Sequence, residues 1–87
     1  MKIKAGFILR NVADQWVVVP IGERVVEVNG ILTLSESGAF LWKILEVDTS
    51  EAELVKRILI EYDIDEDTAK KDVQAFVEAV RAKGLMD

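Results

Sequence analysis

The side chains of this chain that could do chemistry are carboxylates, hydroxyls and two tryptophans, because the sequence has no cysteine and no histidine. The absence of cysteine and histidine excludes disulfides, thiolate zinc sites, cysteine-held iron–sulfur clusters and the usual base of nucleophilic catalysis. Ser35, Ser37 and Ser50 have no lysine at a recognisable spacing to activate them as nucleophiles. The composition therefore predicts a protein that is not an enzyme and holds no cofactor.

Carboxylates cluster at Asp63, Asp65, Glu66 and Asp67, which would suit a hard cation such as Ca²⁺. The spacing lacks the alternating ligands and the central glycine of a calcium-binding loop. The cluster instead precedes a predicted helix, where negative charge complements the helix dipole. We interpret it as the beginning of a helix and predict no metal site.

The 87 residues are 51% hydrophobic and 31% charged, which fits one domain over residues 1–87. A net charge of -5 disfavours binding to nucleic acid or to an anionic membrane. No apolar run approaches the roughly 20 residues of a membrane span, and the first ten residues do not resemble a signal peptide. We therefore expect a cytoplasmic protein.

Residues 1–34 are rich in valine, isoleucine and aromatic residues and predict β-strands. Phe7–Arg10 and Trp16–Pro20 predict a hairpin with a loop of about five residues. Three consecutive valines, at 17–19, make both faces of the second strand apolar, because neighbouring side chains of a strand point to opposite faces. The face away from the helices must then be covered by a loop, a second copy of the chain or another molecule.

Residues 24–28 predict a further strand, which Asn29-Gly30 would join to a short strand at 31–34 through a tight turn. This segment follows a Pro-Ile-Gly connection, so we expect it at an edge of the sheet. Arg24 and Glu27 could guard that edge by their charge, or the edge could accept a strand from a partner peptide.

Residues 35–87 predict three helices, because apolar residues recur there at intervals of three and four. The helices begin at Ser35, Ser50 and Asp65, residues that cap helix N-termini, and the third ends before Gly84. The apolar residues expected to be buried are Ala39, Phe40, Leu41, Trp42, Ile44 and Leu45 in the first helix, Leu54, Val55, Ile58, Leu59 and Tyr62 in the second, and Ala69, Val73, Phe76, Val77 and Val80 in the third.

A hairpin with three helices is also the layout of a winged helix, so DNA binding is one alternative function. The recognition helix would then bring Asp65, Glu66 and Asp67 towards DNA phosphates, which disfavours it. A structural homodimer, formed through the apolar hairpin face or the sheet edge, is the other alternative.

Seven short segments spread over nearly the whole chain carry a resemblance to a known family. They are GFILR (6–10), VVVP (17–20), VNG (28–30), LSESGAFLW (34–42), EYDID (61–65), DVQAFV (72–77) and KGL (83–85). Together they resemble the PqqD family of pyrroloquinoline quinone synthesis, whose members are also described as RiPP recognition elements. The segment at 34–42 is the most specific, and the family usually has asparagine where this chain has Ser35. Either residue caps a helix.

The resemblance implies an α+β, winged-helix-like domain in which a three-stranded antiparallel β-sheet (residues 1–34) precedes a three-helix bundle (35–87). Family members are not enzymes. They bind the leader segment of a ribosomally made precursor peptide and present it to a modifying enzyme, commonly a radical S-adenosylmethionine (SAM) protein. The leader adds to the third strand as an antiparallel edge strand and packs into the cleft between that strand and the third helix.

Carried onto this chain, the resemblance implies a peptide-binding site made of a backbone edge and a helix wall. The edge would be Arg24, Val25, Val26, Glu27 and Val28, and the wall would be Lys70, Val73, Gln74 and Val77. The partners expected are a precursor peptide and a modifying enzyme, without nucleic acid or membrane, and with a homodimer as a further option.

Overall fold

The computed structural model describes residues 1–22 and 32–87, which form a three-stranded antiparallel sheet followed by three α-helices. This confirms the α+β fold predicted from the sequence. The predicted strand at 24–28 and the Asn29-Gly30 turn lie outside the described residues. The elements are β1 (Phe7–Val12), β2 (Gln15–Pro20), β3 (Leu32–Leu34), α1 (Glu36–Ile44), α2 (Glu51–Glu61) and α3 (Glu66–Ala82).

The β1–β2 hairpin turns more tightly than the sequence predicts. The strands stay paired as far as Val12 and Gln15, so only Ala13 and Asp14 form the turn. Both have positive φ angles, 51° and 65°, as a type I′ turn requires. The predicted five-residue loop is therefore wrong. Asn11 and Gln15 lie at this end of the hairpin, where their polar side chains are exposed to solvent.

The sheet presents one apolar face to the helices. Leu9, Val18 and Leu32 lie opposite one another across the three strands, and Val18 is buried. Val17 and Val19 point to the other face, where both are half-buried among the described residues.

All three helices begin with the predicted capping residue. In each case a side-chain oxygen accepts a hydrogen bond from the backbone N–H three residues later, which satisfies one of the free donors of the first turn. The bonds join Ser35 Oγ to Gly38 N (3.1 Å), Ser50 Oγ to Glu53 N (3.1 Å) and Asp65 Oδ1 to Thr68 N (2.7 Å). The hydrogen bonds from Thr68 hold the pKa of Asp65 below its usual value.

Helix α1 lies at the centre of the core, in contact with β3, α2 and α3. Trp42, on this helix, is 1% exposed, as expected for a helix with almost no polar face. The predicted stripe of α3 is buried along its whole length, whereas Phe40 and Ile44 of α1 are half-buried. Of the stripe predicted for α2, Leu54 and Ile58 are buried, and Val55, Leu59 and Tyr62 are half-buried and pack against the core. No helix within residues 1–22 and 32–87 is long and apolar enough to cross a membrane.

The end of α3 is closed by a Schellman motif. Gly84 has a φ of 73°, and its N–H donates to the Arg81 carbonyl at 2.9 Å. The Leu85 N–H donates to the Val80 carbonyl at 3.0 Å, which brings the Leu85 side chain into the core. The next residue, Met86, forms an antiparallel bridge with Ile3. The N-terminal arm is thus held against the end of α3.

The turn at Ala13 provides a stability test. Ala13→Gly should raise the free energy of unfolding by about 1 kcal/mol, because glycine adopts the left-handed conformation without the steric cost of a Cβ atom. The matched control, Ala75→Gly on the exposed surface in the middle of α3, should lower it by about 1 kcal/mol. Urea unfolding measures both. A loss of stability in both variants would contradict the turn geometry.

Candidate functional site

A groove of about 330 Å³ lies between β3 and α3. Leu32, Thr33 and Leu34 of β3 form one of its sides. In the sheet formed by the described residues, β3 is an edge strand that pairs with β2 on one side. The edge of a sheet can accept a further strand, so a groove beside this edge offers a place for the side chains of that strand.

The opposite wall of the groove is one face of α3. Asp72, Ala75, Phe76 and Ala79 line it, and their spacing places them in neighbouring turns on the same side of the helix. The two alanines are exposed and small, which leaves room above the helix backbone. Phe76 is 7% exposed, so most of its ring belongs to the core and its remaining surface faces the groove.

Residues of α1 close the groove between the two walls. Leu41 is buried there, and Gly38 allows α1 to approach β3 closely. A Cβ atom at Gly38 would lie 3.3 Å from Ser35 Oγ and 3.4 Å from Leu34 Cβ, which is tighter than most packed contacts. Ser37 adds a hydroxyl at the rim, 3.2 Å from Ser35 Oγ. The groove is therefore apolar in its depth and lined by hydroxyl groups at one edge.

The structure does not bring the four predicted wall residues to this groove. Val73 and Val77 are 0% and 1% exposed, so their side chains belong to the core and are not available to a ligand. Lys70 and Gln74 are exposed, but they line a separate cleft against α2. Because successive residues of a helix are turned by about 100°, Gln74 points about 200° away from Asp72. The predicted edge, Arg24 to Val28, lies outside the described residues.

Sequence reasoning missed the α3 residues that do line the groove. The apolar periodicity identified the buried stripe correctly, but it did not show which flank of that stripe faces the sheet. The available signal was the pair of alanines at 75 and 79, small residues four apart beside Phe76. Small residues on an otherwise charged helix surface leave room for another chain to approach.

Asp72 is the one ionisable group among the described residues that line the groove. Elsewhere on α3, Lys70 forms a salt bridge with Glu66, at 3.3 Å between Lys70 Nζ and Glu66 Oε1. The acidic residues before and within the first turn of α3 form no candidate metal site in the part of the chain that the structure describes. Asp65 is the N-cap of α3, and Glu66 and Asp67 lie in its first turn, as predicted for helix-terminal charges.

An aromatic surface adjoins the C-terminal end of β3. Trp16 is half-exposed, and Lys43 Nζ lies 4.7 Å from the centre of its ring, within the range of a cation–π contact. Trp16 and Glu36 line a shallow cleft that also contacts Thr33 and Leu34. This cleft and the groove therefore both border Thr33 and Leu34 of β3.

Comparison with known proteins gives consistent matches in sequence and structure. The sequence model of the family described as "Coenzyme PQQ synthesis protein D (PqqD)" matches residues 15–86. None of the curated proteins searched matches the chain. Among solved structures, TbiB1 in complex with the TbiA(beta) leader peptide is 25% identical, with a TM-score of 0.75 over 100% of this chain and 95% of that one. Lasso peptide synthetase B1, complexed with the leader peptide, is 17% identical with a TM-score of 0.72, covering 97% and 93% of the two chains, and shows the shared fold.

The close approach of α1 to β3 at Gly38 can be tested by a larger side chain at that position. Gly38→Val should lower the free energy of unfolding by about 1–3 kcal/mol, because the added methyl groups would push Leu34 away from α1. Urea unfolding measures the loss, and the methyl resonances of Leu34 should shift. Ala75→Val, on the exposed wall, is the control and should cost less than about 1 kcal/mol. Equal effects at the two positions would contradict the tight packing of α1 on β3.

Proposed function

Because this chain belongs to the PqqD family, we propose that it is a non-catalytic, peptide-binding protein. It captures the leader segment of a ribosomally synthesised precursor peptide and presents that peptide to a modifying enzyme. The observation that carries this proposal is the groove between β3 and α3, which places an edge strand beside an apolar cleft.

The solved relatives support this proposal. TbiB1 is 25% identical to this chain over its whole length and has been solved with a leader peptide bound. Lasso peptide synthetase B1, which shares the fold, has also been solved as a leader complex. We propose that the same class of ligand binds here.

The leader adds as an antiparallel strand to the edge of the sheet beside the groove, and alternate side chains enter the groove towards Phe76 and Ala79. Each added main-chain hydrogen bond contributes ~1 kcal/mol, and each apolar side chain that reaches the groove contributes further. A short strand with few side-chain contacts favours an affinity near the micromolar range, ~-8 kcal/mol. The strand that forms this edge stays the predicted Arg24–Val28, which the Asn29-Gly30 turn would join to β3.

The second partner in this proposal is a peptide-modifying enzyme of the radical SAM class. The chain has no cysteine and no histidine, so the iron–sulfur cluster of such a reaction would reside in the enzyme. This chain would then only bind the precursor peptide. An affinity near the micromolar range suits a protein that must pass its ligand on, because binding and release are then both fast.

The acidic beginning of α3 favours a peptide over DNA as the ligand. Asp65, Glu66 and Asp67 occupy the N-cap and first turn of this helix, the part of a recognition helix that approaches DNA. Three carboxylates at that position would repel phosphates. A homodimer paired through the same edge of the sheet would compete with the peptide, and light scattering would detect it.

Filling the groove should abolish leader binding without unfolding the protein. The ligand is a synthetic peptide that covers the leader of the precursor encoded beside the gene of this chain. Ala79→Trp should raise its Kd by about 10- to 100-fold, because the indole occupies the space of a leader side chain. Fluorescence anisotropy measures the Kd, and circular dichroism verifies the fold.

The matched control is Gln74→Trp, which adds the same side chain to the opposite face of α3. It should leave the Kd unchanged and so separates the groove from the wall predicted by sequence. Loss of binding in Gln74→Trp with normal binding in Ala79→Trp would instead place the peptide at the cleft of Lys70 and Gln74. If both variants bound the peptide with the wild-type Kd, the result would contradict a site on α3.

A further inference from the structure

We propose that the groove between β3 and α3 selects leader peptides in which a lysine or arginine lies close to an apolar side chain, and that Asp72 is the charge partner of this cation. The inference rests on the proposed function and deepens it by naming the chemical class of peptide that the groove accepts. It makes Asp72 a specificity-determining residue of a groove whose other described lining residues are uncharged.

Asp72 has no partner among the described residues. It is exposed and forms no salt bridge within that part of the chain. Its neighbours on the surface of α3 are the residues three and four positions away, Thr68, Ala69, Ala75 and Phe76, and none is a cation. The helix therefore leaves this carboxylate available to a ligand.

The charge of Asp72 contrasts with its surroundings in the groove. The other described residues that line the groove are apolar, or carry a hydroxyl group as Thr33, Ser35 and Ser37 do. A carboxylate beside an apolar surface attracts a cation more strongly than one in open water, because the apolar side excludes part of the screening solvent. The side chains of lysine and arginine suit this site, since their methylene groups pack on apolar surface while the charge reaches the rim.

The separation of Asp72 and Phe76 on α3 matches the side-chain repeat of an extended peptide. Asp72 and Phe76 are four residues apart on α3, which separates them by about 6 Å along the helix axis. In an extended peptide, side chains that point to the same face recur every second residue, about 6.6 Å apart. A peptide that runs along α3 therefore brings its cation to Asp72 when the side chain two positions away meets Phe76. The expected motif is a cation and an apolar anchor with one residue between them.

The test is a selection from a random dodecapeptide display library, performed on the wild-type protein and on Asp72→Lys. Peptides selected by the wild type should carry lysine or arginine two positions from an apolar residue. Those selected by Asp72→Lys should carry aspartate or glutamate at that position. Glu78→Lys is the matched control: it makes the same change in net charge on an exposed site of α3 outside the groove lining, so it should select the wild-type motif.

Binding of one selected peptide then measures the effect of the charge. Its Kd should rise by about three- to tenfold in Asp72→Asn, and added salt should reduce the difference between the two proteins. Replacement of the peptide's cation by glutamine should weaken binding to the wild type by a similar factor and leave binding to Asp72→Asn unchanged.

The possible failures are distinguishable. If selected peptides shift the resonances of residues 32–34 and 76–79 but show no preference for a cation, and Asp72→Asn binds them equally well, the charge inference is wrong while the proposed function stands. If the selected peptides shift other parts of the protein, or no peptide is enriched, the proposed function fails and the inference fails with it.

Discussion

The burial of α1 between the sheet and the other two helices is the interaction on which this small fold depends. A chain of 87 residues without cysteine has neither disulfides nor a large core, so its stability depends on how fully its central helix is buried. Leu41, Trp42 and Leu45 are at most 1% exposed. Because α1 contacts both β3 and α3, it sets the distance between them. The groove is a consequence of that packing: α1 keeps the edge strand and the third helix apart and closes the space beneath them.

Much of this arrangement could be predicted from local signals. Ser35, Ser50 and Asp65 are short polar residues placed before apolar periodicity, and each caps a helix as expected. The hairpin loop and the α3 wall could not be predicted in the same way. Ala13 gives no sign that it adopts a positive φ angle, because the twist of the paired strands imposes that conformation. Periodicity shows which stripe of α3 is buried, but tertiary packing determines which flank of that stripe faces the sheet. This packing places Asp72 in the groove and Gln74 outside it.

In the proposed function, recognition divides between backbone and side chains. The edge of the sheet beside the groove would offer main-chain hydrogen bonds that any extended peptide can make, so it would provide affinity with little selectivity. Discrimination would come from the groove, where the depth of the apolar cleft and the charge of Asp72 would set which side chains fit. Such a division would suit a protein that serves a modifying enzyme, because the ligand would be held in an extended form and its identity read at a few positions.

The bridge between Ile3 and Met86 has a consequence for how this fold can be used. It brings residues 3 and 86 side by side, and the Lys4 N–H adds a bond of 2.9 Å to the Leu85 carbonyl. A folded segment whose first and last residues adjoin can be joined to a surface loop of another protein without stretching its interior. The segment from residue 3 to residue 86 meets this geometric condition.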